Sequence, residues 1–491
     1  MKTVRRRKTA RKRSRQRVQI GASDPSLTGA SGVVAVAEFV DALDVVGRFD
    51  RGVGSVKKRD RGATAGELLV GMAQAQLLGA DALVSLDRQR LDVAAVELSA
   101  VPVLASTTAA GLARRFGPEH LVGVEVGVAD LAQRAFDLLD AERKTALSAK
   151  VTIDLDSTDV EVYGSQKQGV AYNYQGQRAG RPHLATWAEA GLTTAADLLA
   201  GNDDVRPRAA DMLRRGLAGI PESVRETARA GDRLRARADA GYFTADLAHA
   251  AVEAGCDFAI AAKRNTALWR GYATIPETAW ADAIGMAGAQ VAATDYAPAG
   301  WPDGTYTIVR RVRVEAEDIS ADPRSRRRRT IDKNQLALAL EGTATHAYAV
   351  SFIVTNIPAN DRPGDTAGDT AGDVESFLQI EAWFRRRTDI EDRIREAKLG
   401  AALRKLPSGN QAVNTVWMWA ALLAGNLSVL LQALTGIDEH GRAHAARLRH
   451  ELLCVPARLV RHGRRLTLRL PPGDHLLPIV LTRIRQLGIA A

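Results

Sequence analysis

The spacing of hydrophobic and polar positions changes twice along this chain of 491 residues. Between residues 25 and 148, apolar positions recur every three to four residues and Gly, Pro or Asp separates the segments, as in VVAVAEFVDALDVV and TAGELLVGMAQAQLLG. That period is typical of amphipathic helices. From residue 149 the segment KVTIDLDSTDVEVYG alternates apolar and polar positions, as a half-buried strand does. The pattern predicts a mostly helical N-terminal domain followed by an α/β domain.

The α/β region has further signals of a sheet. A second strand is predicted at HLATWAEA, and strand, helix and strand are predicted in turn at RLRARADAGYF, TADLAHAAVEAG and FAIAAKRN. Three such elements within about thirty residues are typical of a βαβ unit. We therefore predict the first part of an α/β domain over 149–264.

The rest of the chain divides by composition. Residues 265–375 predict a β-rich insertion, which ends in the polar repeat NDRPGDTAGDTAGDVES, a flexible loop by composition. Residues 376–436 predict the helical second part of the α/β domain. Residues 437–491 predict a helical and basic C-terminal module.

One helical stretch is apolar enough to resemble a membrane span. It is AVNTVWMWAALLAGNLSVLLQALT, residues 412–435. Asn414, Asn426 and Gln432 interrupt it, and conventional amphipathic sequence flanks it, so we predict a buried packing helix and no membrane partner.

Charge narrows the class of partner. The chain has 67 Lys and Arg against 57 Asp and Glu, a net charge of +10 and a pI near 9.7. Ten basic residues lie between Lys2 and Arg17, in a tail of residues 1–24 that we predict to be disordered. This excess favours a nucleic acid, although a tail that only aids solubility is the alternative. No apolar signal-peptide core follows the charges, so a cytoplasmic, nucleoid-associated location is expected.

Cysteine and histidine give little metal chemistry. Cys256 and Cys454 are the two cysteines and lie far apart, which excludes a disulfide framework or a thiolate zinc site. His183 has no second histidine at ligand spacing and is interpreted as structural. A catalytic metal would therefore need mainly oxygen ligands.

Carboxylates supply such oxygen atoms at two predicted strands. Asp154 and Asp156 share one face of the strand VTIDLDS, and Asp239 ends the strand RARAD at the edge where α/β sheets form their ligand crevice. Buried acids usually pair with a base or bind a hard cation. A solvent-facing strand and a helix-capping Asp239 are the plain alternatives.

A third acid lies on the predicted helix EAWFRRRTDIEDRIREAKLG. Phe384, Arg387, Glu391 and Lys398 are spaced by three, four and seven residues, which places them within an arc of about 60°. The face would carry an aromatic ring, a guanidinium, a carboxylate and an ammonium group. Simple charge pairing along a surface helix is the competing interpretation.

The order of these motifs resembles the insertion-sequence transposases that have a Tyr-x2-Arg-x3-Glu-x6-Lys helix, with Phe384 in the place of Tyr. DLDST resembles the first acidic motif of that family and RADAGYF the second. The resemblance covers roughly residues 25–435 and implies a ribonuclease H-like α/β catalytic domain with a β-rich insertion and a helical N-terminal DNA-binding domain. It also implies that Asp156, Asp239 and Glu391 are the catalytic metal ligands, with Asp156 preferred to Asp154.

The resemblance further implies two Mg²⁺ ions, for which Mn²⁺ can substitute, about 3.5–4 Å apart in a phosphoryl-transfer site. The expected partners are double-stranded DNA, as terminal inverted repeats and as target, and a second copy of the chain in a synaptic homodimer. Phe384, Arg387 and Lys398 are expected to contact DNA near the metals. Arg326, Arg327, Arg328 and Arg329 are expected to bind the DNA backbone.

Weaker candidates and two other functions stay open. Trp269, Trp280 and Trp301 are candidates for stacking on an unpaired base, and the short helix in VPVLASTTAAGLARRFG, ending at Arg114 and Arg115, is a candidate for reading DNA. A ribonuclease H-like metal nuclease that does not join strands would share the three acids. A catalytically inactive DNA-binding regulator would leave them unexplained.

Overall fold

The computed structural model describes residues 18–59, 61–325, 327–360 and 375–487. Three predicted features fall wholly or largely outside these ranges. They are the basic tail through residue 17, Arg326, and most of the Gly-Asp-Thr-Ala repeat, residues 361–374.

The N-terminal half of the described chain begins with helices and one short strand. These elements are β1 (Leu27–Thr28), α1 (Val33–Ala42), α2 (Val45–Val53), α3 (Ala65–Leu77), α4 (Val84–Gln89), α5 (Val93–Glu97), α6 (Ser106–Ala113), α7 (Pro118–Leu138) and α8 (Ala141–Ala149). Local sequence fixes several boundaries. For example, Thr64 and Glu67 form a reciprocal capping box at the start of α3, and Asp140 caps α8.

The α/β part follows. Its elements are β2 (Val151–Ser157), β3 (Val160–Glu161), β4 (Ala171–Tyr172), β5 (Arg178–Trp187), β6 (Leu192–Ala200), α9 (Arg206–Ala218), α10 (Glu222–Ala230), β7 (Leu234–Ala238), α11 (Ala245–Glu253) and β8 (Asp257–Ala261). The predicted strand, helix and strand are β7, α11 and β8, and β7 pairs with β8 in parallel. Strand β6, which the sequence pattern did not predict, pairs antiparallel with β5.

The insertion extends the same sheet. It contains α12 (Thr266–Ala273), β9 (Ala281–Asp282), β10 (Ala289–Thr294), β11 (Tyr306–Glu315), α13 (Lys333–Leu340) and β12 (His346–Thr355). Strand β12 pairs antiparallel with β8, and β11, β10 and β9 continue outward. One mixed sheet of eleven described strands, in the order β3-β5-β2-β7-β8-β12-β11-β10-β9 with β4 and β6 on β5, therefore joins the insertion to the α/β part.

The C-terminal part is helical around one long helix. It contains α14 (Phe377–Arg385), α15 (Thr388–Arg395), a π-helical turn (Glu396–Gly400), α16 (Gln411–Thr435), α17 (Ala445–Leu448), β13 (Ala457–His462), β14 (Arg465–Arg469) and α18 (Leu476–Leu487). Asn410 caps the start of α16, and Gly436 ends it in the left-handed conformation. Among the described helices, α16 is the one long and apolar enough to cross a bilayer, and 83% of its most apolar stretch is buried inside the fold. It packs on α3, α7 and β6 as a core helix.

The C-terminal module differs from its prediction. Residues 437–491 were expected to be helical and basic, but β13 and β14 form a hairpin, and β13 pairs with β1 near the start of the described chain. One hydrophobic cluster also runs from Ala35 in α1 to Ile484 in α18. The module is thus packed against the N-terminal helices, because its apolar side chains need partners that its own short elements do not supply.

Candidate active site

Two carboxylates meet where neighbouring parallel strands end. In the pairing of β2 with β7, Leu155 lies opposite Ala238. The next residue along the chain is Asp156 after Leu155 and Asp239 after Ala238. Asp156 accepts a hydrogen bond from the Ser157 amide at 2.7 Å. Asp239 caps a short 3₁₀ turn (Ala240–Tyr242) by accepting the Gly241 amide at 2.8 Å. The fold therefore places both predicted acids at one edge of the sheet.

The surroundings of Asp156 disfavour its charged form. Burial raises the pKa of Asp156 to about 6, the Arg387 guanidinium acts in the opposite direction, and the negative charge of nearby Asp239 raises it further. Two acids held this close repel each other when both are ionised. A cation between them would relieve that repulsion.

Asp154 has a different role although it lies on the same strand. Its side chain is buried and accepts two hydrogen bonds from Arg237, at 2.7 and 2.8 Å. The same guanidinium donates to the Trp383 carbonyl at 2.6 Å and lies 4.9 Å from the centroid of the Trp383 ring. Asp154 is therefore held in an ion pair with Arg237 inside the core.

Glu391 is linked to Asp156 through Arg387, which contacts both carboxylates. Arg387 Nη1 is 3.2 Å from Asp156 Oδ2, and its Nη2 is 3.6 Å from Glu391 Oε1. The Glu391 side chain is 60% exposed. Within the described ranges, no three Asp, Glu, His or Cys side chains lie close enough together to hold a metal ion. Arg387 thus links the first and third predicted acids by charge.

The predicted signature helix is broken. Helix α14 ends at Arg385 and α15 begins at Thr388, so the single arc expected for Phe384, Arg387, Glu391 and Lys398 does not form. Phe384 is 9% exposed and packs in an apolar cluster with residues of β10, β11 and β12. This packing in the core argues against the expected contact of Phe384 with DNA.

Lys398 lies in the π-helical turn after α15 and is partly buried. Its ammonium group donates to Thr158 Oγ1 at 2.6 Å and to the Asp159 carbonyl at 2.9 Å, and burial lowers its pKa. Lys398 therefore fixes the chain after α15 to the segment that follows Asp156.

Tyr242 is a site neighbour that the sequence pattern did not reveal. It is 1% exposed, and burial followed by the charges of Asp156 and Asp239 raises the pKa of its phenol well above the ordinary value. Its ring lies 5.5 Å from that of His183, which is fully buried and whose pKa burial lowers to about 3, as expected for a structural, neutral histidine. The sequence feature that could have indicated Tyr242 is its position three residues after Asp239, in DAGYF.

The aromatic and basic candidates of the insertion are engaged within the fold. Trp269 packs edge-on against Phe352, Arg311 lies 4.1 Å above the Trp280 ring, and Trp301 packs 5.0 Å from Phe243. These contacts disfavour stacking of the three tryptophans on a base. The described arginines are Arg327, Arg328 and Arg329. Arg328 and Arg329 donate to backbone carbonyls of residues 320, 321 and 324, and Arg327 and Arg329 are exposed.

Comparison with known proteins gives one match over nearly the whole chain. The family model described as transposase DDE domain, group 1, matches residues 10–489. The search of curated proteins found no match. Among solved structures, the piggyBac transposase in a synaptic complex with hairpin DNA is 8% identical, with a TM-score of 0.40 over 86% of this chain and 79% of that one.

Proposed function

Because this chain belongs to the transposase DDE domain family, group 1, we propose that it cleaves the DNA ends of its own mobile element and joins the freed 3′-hydroxyl to target DNA. The observation that carries this proposal is the pair Asp156 and Asp239 at the ends of adjacent parallel strands, with Arg387 linking Asp156 to Glu391. Acids in this setting are suited to phosphoryl transfer because they can hold a divalent cation, whose positive charge would stabilise the negative charge on the reacting phosphate.

The order of the central strands supports a ribonuclease H-like core. Strands β6, β5 and β2 are antiparallel neighbours, and β7 and β8 continue from β2 in parallel. This mixed arrangement of five strands supports the ribonuclease H-like α/β domain that the family resemblance implies. Strand β12 then adds the insertion at the edge beyond β8.

The donor set fits a divalent cation in part. Asp156 and Asp239 supply hard oxygen atoms side by side, and the raised pKa of Asp156 reflects a charge that lacks full compensation. Glu391 would complete the set once Arg387 turns toward a DNA phosphate. We propose Mg²⁺ as the ion, which when bound stabilises charge on the attacking and leaving oxygen atoms.

The basic residues of the site would position DNA. Arg387 is 17% exposed and contacts both Asp156 and Glu391. A DNA phosphate that approached these acids would compete with them for the Arg387 guanidinium. Lys398 would hold the loop after β2 in place through Thr158 and Asp159. We also propose that two copies act together on paired ends, as the family resemblance implies.

The test is a Mg²⁺-dependent cleavage and joining assay on a plasmid that carries the gene with its flanking DNA. Wild type is compared with Glu391→Gln and with Asp392→Asn, a matched control on the same helix whose side chain is 53% exposed. We expect joined products from wild type and from Asp392→Asn, and a loss of at least roughly a hundredfold from Glu391→Gln.

Other results would point to the alternatives. Cleavage without joining by wild type would favour a metal nuclease. DNA binding without cleavage by wild type would favour a regulator. Full activity of Glu391→Gln would show that Glu391 is not a catalytic residue.

A further inference from the structure

A basic cleft lies in the N-terminal helical part, built by residues separate from the acids described above. It has a volume of about 890 Å³ and is open to solvent. One wall is the loop between α2 and α3, and the other is α6 with the residues after it. The cationic lining residues are Lys57, Lys58, Arg59, Arg61 and Arg115.

The described charged side chains of this cleft are all cationic, and Asp60, between Arg59 and Arg61 in the sequence, lies outside the described residues. The described lining residues include five cations and neither Asp nor Glu. Lys58, Arg59, Arg61 and Arg115 are exposed, and none of them forms an ion pair with a described carboxylate. By contrast, Arg48 and Arg51 in the adjoining α2 are paired with Asp130 and Asp44. Unpaired cations gathered along one cleft create a positive potential that attracts a polyanion.

The fifth cation, Lys57, holds the loop in shape. Its ammonium group donates to the carbonyls of Arg61, Gly62 and Ala63, at 2.9, 2.9 and 2.7 Å. These hydrogen bonds close the loop on itself and leave the side chains of Lys58, Arg59 and Arg61 outside. Lys57 thus ties the start of the loop to its end in the absence of a ligand.

The opposite wall leaves room for a backbone to approach. Helix α6 buries Ala109, Leu112 and Ala113 against the core and turns Thr108 and Gly111 to the cleft. A Cβ atom added at Gly111 would meet no other atom within 4 Å, so the space in front of the helix is open. Arg115 stands just beyond the end of α6.

We propose that this cleft binds the sugar-phosphate backbone of duplex DNA, at a second DNA-binding surface separate from the catalytic acids. The choice of DNA as the polyanion rests on the proposed function. Lys58, Arg59, Arg61 and Arg115 bind phosphates and set the affinity and register, without reading sequence. The bound duplex is either the element's end or the target, and both present the same phosphates.

The experiment measures binding of full-length protein to fluorescent duplexes, by anisotropy, between 50 and 200 mM salt in Ca²⁺ or EDTA. One duplex carries the element's end and the other an unrelated sequence. The variant Lys58→Gln/Arg61→Gln/Arg115→Gln is compared with wild type. Gly111→Glu, which places a carboxylate in open space, is compared with Gly111→Ala.

We expect the triple variant to bind roughly tenfold or more weakly at 150 mM salt. The slope of log K against log salt should also become shallower by about 0.9 for each phosphate that the variant no longer neutralises. Gly111→Glu should weaken binding, and Gly111→Ala should not. The matched control, Arg88→Gln/Arg270→Gln/Lys333→Gln, removes three positive charges elsewhere on the surface and should bind like wild type.

A cleavage and joining assay on the same variants then identifies the duplex. Failure of end cleavage assigns the cleft to the element's end, and failure of joining with cleavage retained assigns it to target DNA. Unchanged affinity and salt slope in the triple variant, or equal weakening in the control, would overturn the proposal. Because binding is measured without catalysis, absence of cleavage by wild type would count against the proposed function and not against the cleft.

Discussion

Two aspartates on β2 show how the surroundings of a side chain decide its chemistry. Asp154 and Asp156 differ by one strand repeat and point to the same face. Asp154 is neutralised by a two-point contact with the buried Arg237, whereas Asp156 faces Arg387 and another acid at the strand's end. The first acid therefore stabilises the fold, and the second is available for a ligand.

We predict that neutralising Asp154 affects stability, whereas neutralising Asp156 affects DNA cleavage. Asp154→Asn should lower the free energy of unfolding by about 3–5 kcal/mol, because it leaves the Arg237 charge buried and unpaired. Asp156→Asn should not lower it at pH 7.5 without divalent cations, since it removes a charge that burial disfavours, yet it should abolish DNA cleavage. Urea unfolding and the cleavage assay, run on both variants, check this pair. Equal destabilisation by Asp156→Asn would contradict it.

At the scale of elements, one buried acid joins a helix to the sheet and to a second helix. Glu125 of α7 accepts hydrogen bonds from the Ala196 amide of β6 at 3.2 Å and from Arg215 of α9 at 2.8 Å. Burial raises the pKa of Glu125 to about 7, although Arg215 counteracts it. Arg215 also pairs with Asp197 and Asp211, so it keeps anionic partners when Glu125 is protonated.

This raised pKa predicts a stability that depends on pH. The folded state keeps the proton of Glu125 up to about pH 7, whereas the unfolded chain loses it near 4.5. The contribution of Glu125 to the free energy of unfolding is therefore fully present below the unfolded-state pKa of 4.5 and is lost as the pH rises through the folded-state pKa of about 7. The free energy of unfolding of Glu125→Gln, measured relative to wild type, should increase by on the order of 1–3 kcal/mol from pH 5 to pH 8. Urea unfolding at both pH values measures this gain, and the exposed Glu142→Gln serves as the control. A difference that does not change with pH would refute the assignment.

At the scale of the whole molecule, the N-terminal and C-terminal parts of the described chain pack against each other and are joined by hydrogen bonds. Ser31 Oγ donates to the Val455 carbonyl at 2.7 Å, and the Gly32 amide donates to the Leu453 carbonyl at 3.1 Å. A Cβ atom at Gly32 would lie 2.1 Å from the Leu452 carbonyl oxygen. A glycine is required here because two backbones touch, and not because of its own dihedral angles.

We predict that Gly32→Ala destabilises the whole protein by about 1–3 kcal/mol or more, because backbone atoms must move apart. Gly29→Ala, where a Cβ would meet nothing within 4 Å, should stay within about 0.5 kcal/mol of wild type. Thermal and urea unfolding of full-length variants measure both. A neutral Gly32→Ala would mean that the C-terminal segment is not packed against α1 as described.

The sequence by itself determined the elements with a clear local period. These include the strand that carries Asp156, the strand, helix and strand around Asp239, and the buried helix α16. Their side-chain alternation follows directly from backbone geometry, so no distant residue is needed to recognise them. The same local pattern placed Asp239 at the end of a strand, whereas the pairing of β2 with β7 in the structure brought Asp156 to the same edge of the sheet.

The tertiary structure alone decided which distant residues meet. Arg237 is 83 positions from Asp154, and β13 pairs with a strand near the other end of the chain. Neither pairing has a local signature. The break between α14 and α15 was also hidden from the sequence; beside it, Phe384 is buried against the sheet and Arg387 donates a hydrogen bond to Asp156. Spacing along a chain predicts a helix face only while the helix continues, and packing against the sheet decides where it stops.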